Sequence, residues 1–311
     1  MKLQYSSISY KCNKVIEKFN DYILILKLSY GFVPSSWIND DSLISTENPI
    51  VIGGCGRSGT TLLNTMLNAH PKIFCSDEYP LLVRSGFNLN KLSKNLNLNN
   101  TELTKIIKNS KNRVEFIEKL FNLIRSNNNK EIITTTWPNY IFYLNELFFY
   151  FPNIKFIHIV RDGRDVALSF RNNMKSLPFR HNMVIDKEGY PSMEYLATIW
   201  KTFINAFNKW ENNKRCLMVK YEDLILRPEN TLNEICNFIG VEFDANMLNH
   251  HSVGLKGIND KDLPHHVNLK KPLIKSRVYA WKNTLNTQQL QLFEKIAYFE
   301  LKHYGYEIIG K

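Results

Sequence analysis

A chain of 311 residues can hold one large α/β domain or two smaller ones, with ample length for a buried core. With 44% hydrophobic and 22% charged residues the composition is that of an ordinary soluble protein, and no run nears the roughly 18 apolar residues of a membrane span. The formal charge of +11 favours anionic ligands such as multiply phosphorylated nucleotides; nucleic acid is disfavoured, because no lysine–arginine block or nucleic-acid module is present.

Residues 1–48 read as an N-terminal helical extension and connector. Val15, Ile16, Phe19, Ile23 and Leu26 lie at helical spacing within Val15–Leu28, and Pro34 with the polar run 39–48 follows. The helix is expected to lie on the core, with peripheral membrane contact as the alternative. Lys27 interrupts the apolar stretch and no small-residue cleavage site follows, so no signal peptide is expected. The five cysteines, Cys12, Cys55, Cys75, Cys216 and Cys236, are odd in number and lack metal spacing. That fits a reduced compartment, and a cytoplasmic location is expected.

The most informative stretch is Pro49–Leu63. Ile50–Ile52 reads as a strand buried on both faces, a loop with Gly53, Gly54, Gly56 and Gly59 follows, and Leu62, Leu63, Met66 and Leu67 form the apolar face of a helix ended by His70-Pro71. Ser58 or Thr60 is expected to cap that helix. Loop N–H groups and the positive end of the helix dipole then converge on one point, which suits an anion. Gly54 and Gly59 fit the glycines of a Walker A loop, but its lysine position is Thr60 and the cation stands earlier, at Arg57.

Further along, Lys72–Cys75 reads as a second strand, and Ser76–Pro80 as a turn carrying the adjacent carboxylates Asp77 and Glu78. Residues 88–130 read as surface helices, Glu131–Thr136 as a strand, and Tyr140–Phe151 as an aromatic amphipathic helix. Lys155–Val160 reads as a central parallel strand with Arg161 at its carboxyl end, where open α/β sheets place ligands; Asp165 is expected to cap the next helix. His158 lies inside that apolar strand, so a core role outweighs a role as base. Residues 171–191 read as an acceptor-side loop, Met193–Trp210 as a helix, Leu217–Leu224 as a strand running into a turn, Pro228 to Gly240 as a helix with its stop, and Gln288–Leu301 as the last helix. The pairs His250-His251 and His265-His266 lack the spacing of a structural zinc site, and no metal is expected.

The loop Gly56-Arg57-Ser58-Gly59-Thr60-Thr61 resembles the 5′-phosphosulfate loop of sulfotransferases that use 3′-phosphoadenosine-5′-phosphosulfate (PAPS). The continuation through Leu67–Pro71 to Asp77-Glu78 is similar to the tyrosylprotein sulfotransferase branch. Arg161 and Ser169, eight residues apart, resemble the family's 3′-phosphate segment. Ser276, Arg277, Trp281 and Lys282 resemble the end of the region that closes over the nucleotide. In all, the resemblance covers about residues 49–306. It implies that Gly56, Arg57, Ser58, Gly59, Thr60, Thr61, Arg161, Ser169, Ser276 and Lys282 bind PAPS. It further implies that Glu78 and Arg57 are catalytic and that Arg84 meets the acceptor. Two positions depart from the family: Thr136 stands where a lysine is common, and Pro80 where the tyrosylprotein branch usually has an arginine.

The expected fold is α/β, a single sulfotransferase domain over residues 49–311 with a parallel sheet flanked by helices and the nucleotide across the strands' carboxyl ends. The expected reaction moves a sulfonate from PAPS to a hydroxyl on a sugar, lipid, small metabolite or tyrosyl peptide, without a metal. Two alternatives stay open: a P-loop small-molecule kinase, which Thr60 disfavours, and a non-catalytic nucleotide-binding protein of the same fold, which Thr136 allows. Oligomeric state is open, a homodimer included.

Overall fold

The computed structural model describes residues 44–83, 89–173, 183–255 and 264–309. The expected N-terminal helix, Arg84 and Cys12 lie outside them.

Strand β1 (Ile50–Gly53) leads through the glycine loop into helix α1 (Thr60–Asn68), then β2 (Ile73–Glu78). Three helices follow, α2 (Leu89–Leu96), α3 (Asn100–Lys108) and α4 (Arg113–Asn128), then β3 (Ile132–Thr136). The side chains of Asn99 and Asn112 accept first-turn N–H groups of α3 and α4, which fixes where these polar segments turn helical. The single helix expected over Tyr140–Phe151 is two pieces: a 3₁₀ segment, Pro138–Tyr143, and α5 (Leu144–Tyr150). The tighter turn follows from Tyr140, whose buried hydroxyl donates to the Tyr79 carbonyl, accepts the Leu82 N–H and meets Thr135 Oγ1, tying the segment to the chain beyond β2.

After β4 (Lys155–Val160) come α6 (Gly163–Asn172), α7 (Met193–Phe207) and β5 (Cys216–Lys220). The turn expected after β5 is a short helix, α8 (Tyr221–Leu226); α9 (Pro228–Ile239) ends at left-handed Gly240, as expected. Near the end of the chain lies α10 (Thr287–His303), closed at its start by a capping box of Asn286 and Gln289.

The five strands are all parallel, in the order β2-β3-β1-β4-β5. Alternation along each strand sends side chains to both faces. Val51, Ile133, Phe156 and Val160 pack into a cluster with α4, α5, α7 and α10, while Ile50, Ile52, Ile157 and Ile159 pack with α1 and α9 on the opposite face. His158 follows the same rule. It is fully buried, stacks on Phe207 at 4.3 Å between ring centroids, and burial pulls its pKa down to about 3, so it is a core residue. Because β1 is central, its connection to β2 and the later crossing to β4 leave in opposite directions. The loops after β1 and β4 therefore face each other across the point where an open sheet binds ligands.

Candidate active site

The glycine loop is shaped by backbone that other residues resist. Gly54 has φ 146°, and a Cβ there would stand 2.4 Å from the Ile159 carbonyl oxygen; Gly59 has φ 101°, and a Cβ would stand 2.6 Å from the Tyr221 ring. Pro138 holds the loop's first turn by accepting the Gly54 N–H at 3.1 Å. Gly59 is also the residue at the start of α1, so the helix has no side-chain cap, contrary to the expectation for Ser58 or Thr60. Thr60 is already the first helical residue, and the cap position falls to Gly59, which has no side chain to offer. Ser58 Oγ is buried and without a hydrogen-bond partner among the described residues. An orphaned hydroxyl beside an uncapped helix N-terminus suits an anionic oxygen.

Arg57 itself is left-handed, with φ 70°, a conformation that costs on the order of 1–3 kcal/mol outside glycine. Its side chain reaches α6, where its Nε donates to Ser169 Oγ at 3.2 Å. Arg161, at the carboxyl end of β4, donates to the Arg57 carbonyl (3.4 Å) and the Arg277 carbonyl (2.7 Å), and its guanidinium stacks over the Tyr221 ring at 4.3 Å. Arg161 Nε has no partner among the described residues, and its nearest carboxylate, Asp165, is 3.6 Å away. Burial, then the charge of Arg161, lower the Arg57 pKa to about 10; Glu78 acts in the opposite direction and Arg277 adds to the lowering. Cations gathered in this way are stabilised by an anionic ligand between them.

Asp162, not Asp165, caps α6, because its carboxylate accepts the Arg164 N–H at 3.0 Å. Asp165 instead accepts the N–H groups of Tyr279 (2.8 Å) and Trp281 (2.9 Å), and Asp162 accepts Trp281 Nε1. These bonds dock the segment around Arg277 onto the start of α6 and explain how Tyr279 is held at φ 56°. Beneath them Arg164 is fully buried between Asp162 (2.8 Å) and Glu294 (2.5 Å), with the Trp281 ring 3.6 Å from its guanidinium carbon.

Of the residues implied to bind the nucleotide, the structure brings Arg57, Arg161 and Ser169 together at the ends of β1 and β4, with the Gly56–Thr61 loop around them. Lys282 is engaged elsewhere, with Glu307 at 2.5 Å, and Ser276 is exposed. Arg277 lies beside Arg161 in their stead. In the sequence Arg277 is marked only through the resemblance of Ser276, Arg277, Trp281 and Lys282 to the family's closing segment, which does not single it out for the nucleotide, since the Asp165 bonds that place it span 114 and 116 positions. The stretch Ser76–Glu78, read as a turn, is the end of β2. Asp77 there is buried and Glu78 partly exposed. Thr136 is buried and donates to Asn64 Oδ1 at 2.7 Å.

The sulfotransferase family model matches residues 49–245, well over half of the chain. The chain belongs to the sulfotransferase family. It is 30% identical over 218 residues to a protein-tyrosine sulfotransferase of Drosophila melanogaster, covering 66% of this chain and 40% of that protein. It is 28% identical over 282 residues to a putative protein-tyrosine sulfotransferase of Caenorhabditis briggsae, covering 85% of this chain and 91% of that one. The chain thus spans less than half of the first relative and nearly all of the second. Among solved structures, the sulfotransferase domain from the curacin biosynthetic pathway has the same fold, with TM-score 0.61 at 22% identity, covering 85% of this chain and all of that one. A mouse sulfotransferase complexed with PAP aligns at TM-score 0.50 and 16% identity, over 84% of this chain and 86% of that one.

Proposed function

We propose that this sulfotransferase-family chain takes PAPS as donor and transfers its sulfonate to a hydroxyl acceptor, with a tyrosyl peptide the first candidate. The observation that carries the reading is the contact between Arg57 and Ser169, which joins the 5′- and 3′-phosphate motifs into one cationic site. The Gly56–Thr61 loop suits the 5′-phosphosulfate, and Arg161, Ser169 and Arg277 suit the 3′-phosphate. In the transfer, an acceptor oxygen attacks sulfur opposite the 5′-phosphate oxygen. The new S–O bond forms as the old one breaks, Glu78 takes the acceptor proton, and adenosine 3′,5′-bisphosphate leaves with its growing negative charge met by Arg57 and the loop N–H groups. A tyrosyl acceptor is favoured by relatives named for that activity, in Drosophila melanogaster and Caenorhabditis among others, and an acidic peptide suits the +11 chain.

The test has two arms. Calorimetry should show adenosine 3′,5′-bisphosphate binding at least about tenfold more tightly than AMP, one such factor being worth 1.4 kcal/mol. Labelled PAPS should then transfer label to an acidic tyrosyl peptide and not to its phenylalanine counterpart. Equal affinities for the two nucleotides overturn the donor assignment. Label on sugars or small alcohols but not on the peptide corrects the acceptor alone.

A further inference from the structure

Strand β2 does not pair regularly to its end. Cys75 stands opposite Thr134 and Glu78 opposite Thr136, so three steps on β2 match two on β3. One extra residue is inserted, which is a β-bulge. Side chains alternate along a strand, so one inserted residue exchanges which of two neighbours faces a given side. Without the bulge Asp77 would stand opposite Thr136. With it, Glu78 takes that place, and Asp77 is buried.

The bulge is gripped from the helix that follows the glycine loop. Asn64, buried on α1, donates its amide N–H to the Ser76 carbonyl at 2.9 Å. Its amide oxygen accepts the Thr136 hydroxyl at 2.7 Å. The Thr136 carbonyl in turn accepts the Tyr79 N–H at 3.0 Å, closing the far side of Glu78. Asn64, Ser76 and Thr136 are all nearly inaccessible to solvent. The Asn64 amide, the Ser76 carbonyl and the Thr136 hydroxyl satisfy one another, and buried groups so paired hold one geometry strongly, because any other leaves an amide or hydroxyl unpaired. Asn64 orients by having a donor on one side and an acceptor on the other, and only one way round satisfies both neighbours.

We infer that Asn64 and Thr136 are positioning residues: the chain of bonds Thr136–Asn64–Ser76 locks the β2 bulge in the register that turns Glu78, not Asp77, toward Arg57. This rests on the reading of Glu78 as the base. It gives the residue at the family's lysine position a different task, orienting a carboxylate instead of supplying charge.

The test needs no acceptor. Carboxyl ¹³C NMR on the full chain, labelled at Asp and Glu, follows the titration of Glu78 and Asp77 with and without Arg57→Gln as a charge probe. In the parent chain, removing the Arg57 charge should raise the Glu78 midpoint by about one pH unit and move Asp77 far less. In a Thr136→Val background, which keeps shape and removes the hydroxyl, the Glu78 response should fall by half or more. Asn64→Leu should do the same, and Thr136→Ser should restore the parent response. If Asn64→Leu does not fold, the near-isosteric Thr136→Val decides the matter alone. An undiminished Glu78 response in Thr136→Val, or no recovery in Thr136→Ser, overturns the positioning role and leaves the base assignment standing. A parent chain in which Asp77, and not Glu78, responds to Arg57→Gln overturns the base assignment itself.

Discussion

Arg57 Nε donates to Ser169 Oγ at 3.2 Å across 112 residues of chain. One residue comes from the loop after β1 and the other from the second turn of α6. Their meeting sets the span between the two phosphate motifs and places the loop's cation between them, available to either end of the nucleotide.

The first prediction follows from that span. Ser169→Ala removes one neutral hydroxyl that a 3′-phosphate oxygen would use, whereas Arg161→Ala removes charge-assisted bonds worth about 1.5–3 kcal/mol each. Both should weaken adenosine 3′,5′-bisphosphate while leaving AMP nearly unchanged, Arg161→Ala by the larger factor. Calorimetry with the two nucleotides checks this. Parallel losses for both ligands would place Arg161 on the shared 5′-phosphate instead.

Much of this site was legible because short-range rules govern it. The glycine loop and the strands at Ile50 and Lys155 are local patterns, whereas the pair Arg161 with Ser169 is marked only by its resemblance to the family's 3′-phosphate segment. What escaped was set by distant partners. Asp162 and Asp165 are equally good capping types, and only the arrival of Tyr279 and Trp281 from across the chain decided that Asp165 would serve the backbone there. Ser76–Glu78 reads as a turn because its residues are polar. It is strand because Thr136 and Asn64 satisfy it from β3 and α1. Thr136 reads as a gap in the site when the sequence is taken alone, since its hydroxyl partner is a helix residue 72 positions away.

The buried triad beneath the site carries the second prediction. Arg164 is fully buried and shared between Asp162 and Glu294. Removing one partner leaves a buried charge partly uncompensated, which typically costs about 3–5 kcal/mol. Glu294→Ala should therefore lower the urea midpoint strongly with little change in the slope, and loosen the Tyr279–Trp281 segment in hydrogen exchange. A loss below about 1 kcal/mol would show that the triad is already relieved by water or by movement of α10.

Glu222 gives a prediction in pH. It is buried at the start of α8, accepts the Asp162 N–H at 2.9 Å and the Tyr306 hydroxyl at 3.2 Å, and burial pushes its pKa up from 4.5 to about 7. The folded protein then holds this proton over a range in which the unfolded chain has lost it. Between about pH 4.5 and pH 7 the native state binds more protons, so this group's contribution to stability falls as pH rises through that window. Glu222→Gln keeps a carbonyl to accept the Asp162 N–H and never ionises. Its Tm relative to the parent should therefore rise by about 2 °C or more from pH 5 to pH 8. A difference that stays constant with pH would mean that Glu222 is already ionised when folded at pH 5.

The final prediction concerns the base. An acceptor hydroxyl must lose its proton as the new S–O bond forms, and a positioned carboxylate speeds such a step by about 10²–10⁴. Two adjacent carboxylates are available, and the structure treats them differently: Asp77 is buried, whereas Glu78 is partly exposed and its charge acts on Arg57. Glu78→Gln keeps the shape and removes the base. It should leave adenosine 3′,5′-bisphosphate affinity within about twofold of the parent, because no phosphate contact is lost, yet cut turnover at least about a hundredfold. Asp77→Asn should cut turnover far less. Arg57→Ala should damage both quantities, since its guanidinium reaches the Ser169 side while its loop meets the leaving phosphate. The measurements are calorimetric binding and mass detection of sulfated product from labelled PAPS. If Glu78→Gln turned over normally while Asp77→Asn did not, the strand end would present the other carboxylate, and the bulge would have the opposite sense to the one described.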